Sequence, residues 1–131
     1  MPKKAVTSPN VYVPPGGGFF SQAFVASGKT VYVAGMTALD QHGNLVGEGD
    51  IRAQTTAVLD NMKAVLEAAG ATMADVVKLT IFMKDLRQSA DVREIRQRYF
   101  SKPYPASTLL EISRLADERY LIEIEAIASI D

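Results

Sequence analysis

The sequence predicts an α+β fold of order ββαβαββ, with both helices on one face of a single sheet. Three observations carry that expectation. Apolar residues recur every three or four positions from Ile51 to Ala69, and again from Val92 to Tyr99, the stripe of a helix that buries one side. Apolar side chains alternate along 75–84 and along 120–130, the two-residue period of a strand. Clusters of Gly, Pro, Asn and Asp separate these segments and mark the turns.

Taken in order, the first eighteen residues read as a loop-like segment, because they hold Pro2, Pro9, Pro14, Pro15 and then Gly16, Gly17 and Gly18. Phe24-Val25-Ala26 and Thr30-Val31-Tyr32-Val33-Ala34 flank Ser27-Gly28-Lys29, the pattern of a β-hairpin. Dense turn signals follow at 40–44 and 47–50. Asp50 is placed to cap a helix that runs to about Ala69, and Gly70 fits the left-handed position after it. The helix stripe is Ile51, Thr55, Val58, Met62, Val65, Leu66 and Ala69. Val77, Leu79, Ile81 and Met83 share one face of the next strand, 75–84. A second helix is expected over 89–100, with Val92, Ile95 and Tyr99 inward and Arg87, Arg93, Arg96 and Arg98 mostly outward. Pro103 and Pro105 end it, and strands at 106–113 and 120–130 close the chain.

The 131 residues fit one domain, 1–131. Fourteen basic and fifteen acidic residues leave a formal net charge of −1, which gives no long-range attraction to nucleic acid or anionic lipid. With no cysteine and one histidine, His42, thiolate chemistry, Cys-based zinc sites and multi-histidine metal cages are excluded. No apolar stretch is long enough to span a membrane, and no apolar run follows Lys3 and Lys4 as in a signal peptide. A cytoplasmic protein is expected.

Few residues invite chemistry. Gly16-Gly17-Gly18 is not followed by Lys-Ser/Thr or a helix start, so a loop is the better reading than a phosphate cradle. His42 sits in a polar turn, and Ser21 lacks a G-x-S-x-G setting. The last strand holds the anomaly. Tyr120, Ile122, Ile124, Ala126 and Ala128 form one apolar face, while Leu121, Glu123, Glu125 and Ile127 form the other. A face that apolar, carrying two carboxylates, suits a subunit interface. Glu123 and Glu125 are read either as structural ion pairs with Arg114, Arg119 or Lys78, or with one of them in a partly dry cleft and available for proton transfer.

Several segments together resemble the RidA/YjgF/UK114 family of reactive-intermediate deaminases. They are Gly18-Phe19-Phe20-Ser21-Gln22-Ala23, Val31-Tyr32-Val33-Ala34-Gly35, Gln54-Thr55, and the run from Asn61 to Gly70. The run from Asp75 to Phe82, Pro105-Ala106, and the run from Leu121 to Ala128 complete the set, which spans nearly the whole chain. The resemblance implies a chorismate-mutase-like fold assembled as a homotrimer, with sheets forming a central barrel and three pockets at subunit interfaces. It implies hydrolysis of enamines and imines such as 2-aminoacrylate to a 2-oxo acid and ammonia, with no metal and no bound cofactor.

Against that family pattern, Glu123 is retained and is the catalytic candidate, orienting or deprotonating water. Ser107 stands where deaminating members carry an arginine that forks onto the substrate carboxylate. Phe20 replaces a tyrosine, Ala34 the serine before Gly35, and Met36 a polar residue. Leu109 takes a small polar or cysteine position, and Arg93 that of a frequent asparagine. Ser107 and Thr108 would offer hydroxyl or backbone contacts, and Phe20, Met36 and Leu109 would form apolar walls; Arg93 would restore a cation if it reaches the cleft. The expectation is a small-molecule hydrolase whose specificity has moved from 2-aminoacrylate to a larger, less acidic or more apolar substrate. A non-catalytic ligand-binding module is the alternative, and an endoribonuclease or translation inhibitor a third reading that the charge balance opposes.

Overall fold

The computed structural model describes residues 3–131. Met1 and Pro2, the start of the segment read as a loop, lie outside the described residues. The elements are β1 (Lys3–Val6), β2 (Ala23–Ala26), β3 (Lys29–Met36), α1 (Ile51–Ala68), β4 (Val76–Met83), α2 (Ser89–Arg96), β5 (Ala106–Glu111) and β6 (Ile122–Ile130). The α+β class holds, with two helices on one mixed sheet of order β3-β6-β4-β5. β6 runs antiparallel to both of its neighbours, and β4 and β5 are parallel. Parallel neighbours need a crossover, and α2 supplies it between β4 and β5. Likewise α1 carries the chain from β3 to β4, leaving between them the slot that β6 fills.

Two expectations are corrected. The first eighteen residues are not all loop, because β1 forms there and pairs with β2 in the register Lys3↔Ala26 to Val6↔Ala23. The hairpin across Ser27-Gly28-Lys29 does not form, so the strands make two sheets rather than one. β2 belongs to a two-stranded ribbon with β1, while β3 starts on the main sheet at Lys29↔Ile130. Gly28 has φ +89, and a Cβ on it would collide with the Ile130 carbonyl. The turn therefore passes the chain from one sheet to the other instead of folding it back.

The helix ends follow their caps. Asp50 accepts from the backbone N–H groups of Arg52 and Ala53, and Gly70 has φ +79 just beyond the C-terminus. Ile51, Thr55, Val58, Met62 and Leu66 are buried, whereas Val65 stays exposed. From the sheet, Leu79, Ile81, Met83, Ile122, Ile124 and Ala128 meet them with no exposed surface. Gln54 is the largest of the buried polar residues among those described, the others being Thr55 and Ser129. Its amide donates to the carbonyls of Gly47 and Arg119 at 3.1 and 3.0 Å and accepts from the Leu121 N–H at 2.9 Å. That satisfies the side chain and fixes the chain entering β6. Among the described residues, both helices lie on the core side of the sheet, and the opposite face leaves Tyr32 78% exposed.

Candidate functional site

Register divides the expected site residues between the two faces of the sheet. Ser107 pairs with Leu79 and Leu109 with Ile81, both core residues, so Ser107 and Leu109 face the helices. Glu123 pairs with Phe82, which also pairs with Leu110. Phe82 alternates with the core residues Ile81 and Met83, so Glu123 stands on the opposite face. A single copy of the chain does not bring Ser107 and Glu123 together.

On the helix side, a cleft of about 430 Å³ opens between α2, the start of β5 and the loop before β2. Its walls include Phe19, Phe20, Val92 and Leu109, and its polar lining comes from Ser89, Ser107, Arg93 and Arg96. The loop is tied down at its end. The Ser21 N–H donates to Pro105 O at 3.2 Å, its hydroxyl donates to Tyr104 O, and the Phe19 ring meets Tyr104 edge-on at 5.8 Å. These contacts hold the phenylalanines beside β5, and Phe20 and Leu109 both line this cleft.

Arg93 also lines this cleft, but the better-placed cation is Arg96, expected to face solvent. Its guanidinium is half-buried and donates to Ser107 Oγ at 3.1 Å and to Phe19 O at 2.7 Å. Burial and the adjacent Arg93 charge hold the Arg96 guanidinium below its ordinary pKa. The sequence held a signal for it. Position 96 lies four residues after Val92 and three before Tyr99, on the inward stripe of the helix. By contrast, Arg52 and Arg98 reach Glu94, Arg87 reaches Asp85, and Arg119 reaches Asp117. Among the described residues, neither Arg93 nor Arg96 makes an ion pair.

On the other face, β3 carries a bulge. Val33 pairs with Ala126 and Met36 with Ile124, leaving Ala34 and Gly35 opposite Glu125 alone. The extra residue returns Met36 to the core side, where it packs against the buried cluster, rather than onto a cleft wall. Ala34 is exposed, and Gly35 lies under Glu123. Neither Glu123 nor Glu125 forms an ion pair among the described residues. Lys78, a partner considered for them, donates instead to Thr108 Oγ1 at 2.7 Å, and Arg119 pairs with Asp117. Thr108 is exposed on this same face, across from Thr80. Among the described residues, no group of three or more His, Cys, Asp or Glu side chains is placed to hold a metal ion, and no helix is long and apolar enough to cross a membrane.

The family model described as Endoribonuclease L-PSP matches residues 14–130. A RutC family protein of Pyrococcus abyssi is 43% identical over 85% of this chain and 86% of its own length. A 2-iminobutanoate/2-iminopropanoate deaminase of Dermatophagoides farinae is 34% identical over 99% of this chain and 98% of its own. The crystal structure of YyfB, a member of the conserved Rid protein family from Yersinia pestis, superposes with a TM-score of 0.89 at 36% identity, covering 99% of this chain and 100% of that one.

Proposed function

The chain belongs to the Endoribonuclease L-PSP family, which includes the Rid and RutC proteins, and on that premise we propose that it is a cofactor-independent imine or enamine deaminase acting at a site shared between copies. The observation that carries this reading is Glu123. Among the described residues it is a half-buried carboxylate with no ion-pair partner, on the sheet face away from both helices. Phe82 lies directly across from it and Leu110 beyond Phe82, while Ile127 and its partner Tyr32 extend the same face past Glu125, a mixed composition that suits an interface. A second copy docked there, within the homotrimer expected from the sequence, would set Glu123 of one subunit before the cleft of its neighbour.

The chemistry then needs one acid–base group. Glu123 takes a proton from water as the water oxygen bonds to the C=N carbon. The resulting carbinolamine receives that proton on nitrogen, and its C–N bond breaks as the hydroxyl gives its own proton to the freed Glu123 carboxylate, leaving the 2-oxo compound and ammonia. An enamine first gains a proton on carbon to reach the imine. The named deaminase among the relatives supports the reaction class, and Ser107 supports a specificity different from that of deaminases with an arginine there.

The cleft of one copy contains hydroxyls and arginines but no carboxylate or imidazole, which favours the ligand-binding alternative if copies do not share the site. Purified protein supplied with imines generated by an amino-acid oxidase separates the readings. Faster ammonia release than in buffer, lost in Glu123→Gln, is the expected result. Ligand retention with no acceleration would leave the binding module.

A further inference from the structure

Within one copy, Arg93 and Arg96 bring two positive charges to one small cleft whose described lining holds no acid. Arg96 spends two of its N–H groups on neutral acceptors, Ser107 Oγ and Phe19 O. Since a guanidinium has five such donors in a rigid fork, three remain. Ser107 is thereby a buttress: its hydroxyl accepts from Arg96 and fixes where the fork points. Like charges held together are unfavourable until an anion sits with them. The rest of the lining is Phe19, Phe20, Val92 and Leu109, so whatever neutralises the arginines also meets aromatic and branched surface.

We infer that Arg96, buttressed by Ser107 and assisted by Arg93, is the carboxylate-recognition residue of this cleft, and that its ligands are organic acids bearing an aromatic or branched apolar group. The anchoring cation projects from α2 rather than from β5. The acid head is therefore held at the helix side, and the apolar body lies along Phe19, Phe20 and Leu109. Small acids satisfy the arginines but leave those walls wet; neutral molecules fill the walls but leave the charges unpaired. If the deaminase reading holds, the substrates are imines or enamines of amino acids with bulky apolar side chains, and only that last clause rests on it.

Calorimetric binding to the full-length protein in its native assembly tests this without any turnover. Three stable probes suffice: phenylpyruvate, pyruvate, and 1-phenylpropan-2-one, which carries a methyl group where phenylpyruvate has its carboxylate. Phenylpyruvate is expected to bind about tenfold or more tightly than either of the others. Arg96→Gln is expected to abolish the preference for the acid over the ketone, with a smaller loss of that preference in Arg93→Gln. Wild-type protein gives an independent reading that needs no variant to fold: added salt should weaken phenylpyruvate and spare the ketone. Equal affinity for acid and ketone, a salt-insensitive acid, or undiminished acid binding in Arg96→Gln overturns the inference. Tight phenylpyruvate binding without imine turnover removes the deaminase reading alone, and turnover without acid preference removes this inference alone.

Discussion

The Glu123 carboxylate lies directly over Gly35, the one residue of β3 without a side chain. A Cβ on Gly35 would stand 2.8 Å from Glu123 Cδ and 3.1 Å from Cγ, closer than carbon atoms pack. Gly35 is needed here for close approach rather than for an unusual backbone angle. Its bulged strand brings the backbone up to the carboxylate.

The first prediction follows from that contact. Gly35→Ala should swing the Glu123 side chain away while the sheet persists, because the displaced atoms belong to a flexible side chain. Thermal unfolding should change by less than about 1 kcal/mol, while imine turnover falls about a hundredfold, the scale of an ångström-level misplacement. A loss of stability as large as the loss of activity would assign Gly35 to the fold instead.

Gln54 is predicted to matter for stability out of proportion to its type. Gln54→Leu keeps much of the volume but removes the side-chain partner of the Arg119 carbonyl and the Leu121 N–H, and leaves the Gly47 carbonyl with only the Asp50 N–H. The expected cost is about 3 kcal/mol, read as a lower midpoint in urea unfolding. Thr56→Ala, on a half-buried hydroxyl that bonds only its own helix at Arg52 O, should cost far less in the same experiment.

Tyr99 gives a prediction in pH. Its phenol donates to Asp60 Oδ1 at 2.6 Å, and burial together with that bond pushes its pKa from 10.0 up to about 12. The folded protein therefore keeps this proton through a window in which the unfolded chain has released it. The stabilisation is complete below pH 10, and it is lost as pH rises through the window towards about 12. Tyrosinate absorbance should show one late-titrating phenol that moves earlier in Asp60→Asn, with burial still holding it above its ordinary value.

Much of this was legible in the residues, and the failures have physical causes. Asp50 and Gly70 bracketed α1 because caps act locally, and the alternation at Val77, Leu79, Ile81 and Met83 identified a strand with one fully buried face. β1 escaped notice because Lys3–Val6 is short and its partner, β2, is distant in sequence. The hairpin expectation failed because Ser27-Gly28-Lys29 is a turn signal in either case; only the contact with Ile130 decides that the chain changes sheets. The charge of Arg96 suggests a solvated side chain, whereas its spacing from Val92 places it inward. The separation of Ser107 from Glu123 needed the strand register, which depends on β5 running parallel to β4.

The most direct test of a shared site mixes two inactive variants. Glu123→Gln removes the acid–base group, and Leu109→Glu places a carboxylate in the arginine-lined cleft; each alone should lack imine turnover. Refolded together as random assemblies, they should recover about one site in four, wherever an intact Glu123 faces the intact cleft of a neighbouring copy. No recovery from mixtures proven by native mass spectrometry to contain both chains would contradict the account.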